Sequence, residues 1–142
     1  MFNLPTPCSL LGCRFFFARW SNTLLSLPEK QFFFQMLRNN HVKKDWFTGM
    51  LTHGQSDFVI PYIDPESNTL RKYYPDFLIK WDDGSYEIVE IKADFQVEDA
   101  VVKAKQAYAE QLATASEMTY RMVKATEVRL RAKAEPGQNY DD

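Results

Sequence analysis

From Val97 onward the apolar positions Val97, Val101, Ala104, Tyr108, Leu112 and Ala115 recur at the three- and four-residue spacing that stacks side chains on one face of a helix. The pattern predicts a long helix ending near Ser116, with Asp94 as its N-cap. A second helix is predicted over about 27–39, where Phe32, Phe33, Met36 and Leu37 share a face, Pro28 stands in the first turn and Ser26 is placed to cap it. Between the two helices the period shortens. "SDFVIPYI" reads as a strand, "DPESN" as the turn leading into a strand from Tyr73 to Trp81, and "DDG" as the turn into a return strand ending at Lys92. "HVKKDWFTGMLTHGQ" ahead of these strands reads as a loop, and "MTYRMVKA" beyond the long helix as a last strand. No internal repeat and no low-complexity segment is visible. Helix, three strands, helix, strand is an α/β order, αβββαβ, which predicts a mixed four-stranded sheet flanked by helices.

Charges interrupt the apolar alternation of "YYPDFLIKWDDGSYEIVEIKAD" at Asp76, Glu90 and Lys92. An ion taken out of water costs several kcal/mol unless a partner compensates it. If Asp82, Asp83 and Gly84 form a three-residue hairpin loop with Gly84 left-handed, Trp81 pairs with Ser85, and Asp76 then faces Glu90. The same register sets Tyr74 against Lys92, Leu78 against Ile88 and Lys80 against Tyr86, so the three charged groups share one face. Phe77, Ile79, Val89 and Ile91 take the other. A two-residue Asp83-Gly84 turn slips the register by one and separates Asp76 from Glu90, which compensates nothing. In the first register the carboxylates have Cβ atoms about 5 Å apart and repel by roughly 3 kcal/mol at an effective dielectric of 20. A divalent cation turns that repulsion into attraction, and a small set of hard oxygen ligands suits Mg²⁺ or Mn²⁺ better than zinc. Lys92 points to the same place.

Composition narrows the setting. The chain has 142 residues, 45% of them hydrophobic and 15% aromatic, enough for one domain with a core, and no stretch is long enough to span a bilayer. A formal charge of −2 gives no global signal for nucleic acid, although Lys103, Lys105, Arg121, Lys124, Arg129, Arg131 and Lys133 outnumber the acids over residues 101–133. Any anion-binding surface is therefore local. Cys8 and Cys13 make neither a disulfide framework nor a four-ligand zinc site, and a reducing cytoplasm is the simplest setting. "SLLGCRFFFARW" is interrupted by Arg14 and Arg19 and reads as an N-terminal extension over 1–27, either packed on the domain or unordered, rather than as a signal peptide. Residues 132–142 read as a disordered acidic tail.

Pro75-Asp76 followed by Glu90-Ile91-Lys92, within the αβββαβ order, resembles the PD-(D/E)XK nuclease superfamily. Glu29 on the first helix, the hairpin, the lysine-bearing helix "VVKAKQAYAEQL" and the closing "TYRMVKATEVR" are similar, more narrowly, to the endonuclease subunit of heteromeric cut-and-paste transposases. The likeness covers roughly residues 28–130 and makes 28–131 the nuclease domain. It implies a restriction-endonuclease-like core and a Mg²⁺- or Mn²⁺-dependent DNA endonuclease. Asp76, Glu90 and the carbonyl of Ile91 would hold the ion, Lys92 would orient or deprotonate the attacking water or offset charge, and Glu29 would complete the shell. It also implies a 5′-phosphate product and a protein partner that selects the DNA site.

Each residue also has a structural use. Asp76 and Lys92 can form a plain cross-strand ion pair, and Glu29, three residues after Ser26, fits a capping box as well as a metal site. Lys103 points away from the apolar stripe into solvent, whereas Lys105 borders it and can reach a phosphate. His41 and His53 are isolated and take no catalytic role, and Tyr73, Tyr74, Trp81 and Tyr108 read as core. A restriction or repair nuclease, and a catalytically degenerate nucleic-acid-binding fold, are the alternatives; the intact Asp76, Glu90 and Lys92 weigh against the second.

Overall fold

The structure, a computed structural model, describes residues 26–48 and 58–134. Nearly all of the N-terminal extension, the stretch 49–57 with His53 and the start of "SDFVIPYI", and the tail from 135 lie outside the described residues. The first helix, α1, is Leu27–Arg38, with Ser26 at its N-cap and Pro28 in its first turn. Then come β1 (Val42–Phe47), β2 (Ile60–Asp64), β3 (Thr69–Tyr73), β4 (Phe77–Trp81) and β5 (Tyr86–Lys92). A 3₁₀ turn at Asp94–Gln96 leads to α2 (Ala100–Ala115), β6 (Thr119–Lys124) and α3 (Ala125–Ala134).

A mixed four-stranded sheet in the order β1-β4-β5-β6 forms the centre, antiparallel except for the parallel β5–β6 pair. It is flanked by helices, the expected architecture. Phe77, Ile79, Val89 and Ile91 face α1 and α3, where they pack with Phe32, Phe33, Met36 and Val128. Phe77 is fully buried, its ring 5.1 Å from those of both Phe32 and Phe47. Truncating such a ring to alanine costs about 3–5 kcal/mol. On the opposite face Leu78 and Ile88 pack with Trp46, Phe58 and Ala113, and this cluster continues through Tyr120 to Ile60, Tyr62, Tyr73 and Ala109 under α2.

The β4–β5 hairpin has the register expected from Gly84. Phe77 pairs with Val89, Leu78 with Ile88, Ile79 with Glu87 and Lys80 with Tyr86. Gly84 has φ +89°, a conformation that costs glycine nothing. The Trp81 amide donates to the Ser85 carbonyl at 3.0 Å, and Asp83 Oδ1 accepts from the Ser85 amide and hydroxyl at 2.8 and 2.6 Å.

Four local expectations change. Residues 42–47, read as loop because Lys43, Lys44 and Asp45 break the apolar alternation that marks a strand, form the edge strand β1. The strand expected from Tyr73 to Trp81 is two strands separated at Tyr74–Asp76, where Pro75 has no N–H to give a ladder. "DPESN" therefore turns β2 into β3, and these two form a separate antiparallel sheet of their own. The N-cap of α2 is Asp99, which accepts from the amides of Val101 and Val102, and Asp94 instead opens the 3₁₀ turn. After β6 the chain makes a further helix, α3, which fixes only Ala125 and Val128 in the interior.

Candidate active site

Asp76 stands where the short link after β3 enters β4. Buried Thr48, just past β1, holds this link: its hydroxyl donates to the Pro75 carbonyl at 2.6 Å and its amide to the Asp76 carbonyl at 2.8 Å. The Asp76 carboxylate crosses to β5, where Oδ2 accepts from the Ile91 amide at 2.7 Å. Glu90 lies one step beyond the Phe77–Val89 pair and is only 2% exposed. Its Oε1 is ion-paired to Lys92 Nζ, and its Oε2 accepts from the Tyr73 hydroxyl at 2.7 Å. The hairpin thus brings Asp76, Glu90 and Lys92 together.

Glu29 arrives from the other direction. Its Oε2 accepts from the Ser26 amide at 2.7 Å, closing the start of α1, and its charge is felt at both Asp76 and Lys92. The capping role and proximity to the cluster coexist. Lys105, on α2, lies with Nζ 5.5 and 5.6 Å from the ring centroids of Tyr62 and Tyr73, a pair of cation–π contacts. Lys103 is exposed and paired to Glu98. His41 pairs with Asp82 at the hairpin turn and takes no part in this cluster.

The electrostatics follow from burial. A hydrogen bond to a charged group is worth roughly 1.5–3 kcal/mol. That is about the size of the ~3 kcal/mol repulsion between carboxylates at this separation. For Asp76 burial decides the balance, and with the charges of Glu90 and Glu29 it pushes the pKa well above the usual carboxylate range against the Ile91 amide and Lys92. At Lys92 burial disfavours the ammonium, but Glu90, Asp76 and Glu29 outweigh it and raise the pKa. Among the described residues no three Asp, Glu, His or Cys side chains converge as a complete metal-binding group. What the site offers is two mutually repelling carboxylates, hard oxygen donors whose repulsion a dication would relieve.

Thr48 and the Tyr73–Glu90 hydrogen bond were not visible in the sequence. Both are tertiary contacts, one from the residue just past a strand read as loop and one from a tyrosine read as core.

A model of the family described as TnsA-like endonuclease N terminal matches residues 51–125. The chain belongs to this family. No curated protein matches the chain. The TnsA-like match contains Asp76, Glu90, Lys92 and Lys105, while Glu29 lies ahead of it on α1. Family and fold agree with the superfamily to which the Pro-Asp and Glu-x-Lys spacing pointed. Among the described residues no helix is long and apolar enough to cross a membrane.

Proposed function

We propose that this TnsA-like chain is the DNA-cleaving component of a transposase-type complex, a Mg²⁺- or Mn²⁺-dependent endonuclease that hydrolyses phosphodiester bonds. The observation that carries the reading is the hairpin register, which sets Asp76 against Glu90 with Lys92 bonded to Glu90. Asp76, Glu90 and the carbonyl of Ile91 would hold the ion, which supplies a Lewis acid for a phosphoryl oxygen and acidifies a water. Lys92, ion-paired to Glu90, would orient or deprotonate the attacking water or offset the charge that develops on the phosphate. Glu29 adds a negative charge at the rim and is the candidate to complete the shell. Lys105 and the other basic residues after Val101 supply local, salt-sensitive contact with the DNA backbone, and a protein partner selects the site.

Nicking of supercoiled plasmid, with Mg²⁺, Mn²⁺ or a chelator, tests the reading beside calorimetric titration of the metal. Asp76→Ala is expected to lose metal binding and cleavage together. Lys92→Ala is expected to keep metal binding and lose cleavage. A Lys92→Ala protein that cuts like the parent would reduce the cluster to a structural ion pair.

A further inference from the structure

We propose that Tyr73 is a positioning residue for the carboxylate pair, its hydroxyl fixing Glu90 while the two-residue link Tyr74-Pro75 ties it to Asp76. The proposal rests on the nuclease reading and deepens it.

Tyr73 ends β3, which belongs to the two-stranded sheet and not to the sheet that carries Glu90. Its ring is 5% exposed and packs with Ile60, Tyr62 and Ala109, and Lys105 Nζ covers it at 5.6 Å from the centroid. From this fixed ring the hydroxyl donates to Glu90 Oε2 at 2.7 Å.

The geometry has two consequences. With Oε2 held by Tyr73 and Oε1 by Lys92, Glu90 has one carboxylate orientation instead of a family of rotamers. And because Tyr74 and Pro75 alone separate Tyr73 from Asp76, the hydrogen bond closes a loop across the two ligands: Tyr73 bonds to Glu90, and Asp76 bonds to the Ile91 amide next to Glu90. The spacing of the two carboxylates is thus set from both sides. Tyr120 provides a comparison, since its hydroxyl is buried in the same region, interacts with that of Tyr73 and, among the described residues, makes no hydrogen bond to either carboxylate.

Calorimetry with Mn²⁺ on the DNA-free protein, with melting curves for each variant, tests this without relying on cleavage. Tyr73→Phe is expected to stay folded, melting several degrees below the parent for the lost buried hydrogen bond, and to bind Mn²⁺ about tenfold more weakly or worse, the usual cost of losing a partner behind a metal ligand. In nicking assays it should need correspondingly more Mg²⁺ and show a lower kcat at unchanged KM for DNA. Tyr120→Phe should titrate like the parent. Equal Mn²⁺ affinity in Tyr73→Phe and the parent overturns the proposal, and so does an equal loss in Tyr120→Phe, which would mean general loosening. A Tyr73→Phe protein that is unfolded where the parent is folded also overturns it, in favour of a purely structural hydroxyl. A parent that neither binds Mn²⁺ nor nicks DNA removes the nuclease reading, and this inference with it.

Discussion

Two buried carboxylates sit in the same four-stranded sheet and are treated in opposite ways. Glu90, on β5, is 2% exposed and has both oxygens engaged, one by Lys92 and one by Tyr73. Asp45, on β1, is 9% exposed and among the described residues has no hydrogen-bond partner for either oxygen. It pairs across the ladder with Ile79 and so belongs to the face that packs on α1, whereas Glu90 faces Tyr73 and α2. Burial alone pushes Asp45 up to about 8. Beside Glu90, Asp76 is raised by burial too, but also by the neighbouring carboxylates, and only that second contribution can be cancelled by a cation. Burial by itself therefore does not single out an acid for the proposed chemistry. Convergent partners and repulsion by a second acid are what single out the Asp76–Glu90 pair.

The sharpest break of the comparison is in cleavage. Glu90→Gln removes the charge from the partnered acid and is expected to drop plasmid nicking to background, while Asp45→Asn removes the charge from the unpartnered acid and should leave the rate within a few-fold of the parent. Nicking rates at saturating Mg²⁺ measure both. Loss of activity in Asp45→Asn with the fold intact would put the second carboxylate into the chemistry and erase the distinction.

Stability against pH separates them next. Asp45 is raised in the folded state from 3.8 to about 8, so below pH 3.8 it is protonated in both states and its contribution is fully present. As the pH rises the unfolded chain ionises first, the unfolded state binds fewer protons, and stability is lost progressively until about pH 8. A tenfold change in acidity is worth about 1.4 kcal/mol, so the loss across that window is on the order of 5 kcal/mol. Asp45→Asn should flatten this part of the curve and be the more stable protein at pH 8 by a few kcal/mol. Urea denaturation of parent and variant at pH 5 and pH 8 reads the difference.

The same contrast explains what the sequence could show. Gly84 and the alternation around it determine the hairpin, and with it Asp76, Glu90 and Lys92, because register is a local property of turn and pleat. β1 was hidden by the very residue that makes it unusual: Asp45, with Lys43 and Lys44, reads as solvated loop although its side chain is buried. Pro75 marks the break, but the aromatic positions on both sides of it made Tyr73 to Trp81 read as one strand. In α3 only Ala125 and Val128 are buried, too few to give an apolar stripe. Contacts such as Tyr73 to Glu90 and Thr48 to Pro75 join segments whose spatial relation no short-range pattern encodes.

A smaller effect is expected from the metal itself. An ion that binds only the folded state at one hundred times its Kd adds about 2.7 kcal/mol to stability. Mg²⁺ should therefore raise the melting temperature of the parent and of Asp45→Asn alike, and leave Asp76→Ala unchanged. Equal Mg²⁺ stabilisation in Asp76→Ala would move the ion away from the pair.

The smallest expected change tests the register on which the whole comparison stands. Gly84 has φ +89°, and a Cβ placed there would meet nothing within 4 Å. Gly84→Ala therefore carries backbone strain without a clash, about 1 kcal/mol. The register has other supports: the Asp83–Ser85 hydrogen bonds close the turn, and the alternation commits Phe77, Ile79, Val89 and Ile91 to the α1 face. A one-residue slip would turn this apolar set outward, at far more than 1 kcal/mol given about 1.5–3 kcal/mol for each large buried side chain. The strained turn is thus cheaper than the slip. Gly84→Ala should melt slightly earlier, with Mn²⁺ affinity and nicking unchanged. If it instead loses metal binding while remaining folded, the turn and not the buried face sets the register, and the meeting of Asp76 with Glu90 hangs on that single glycine.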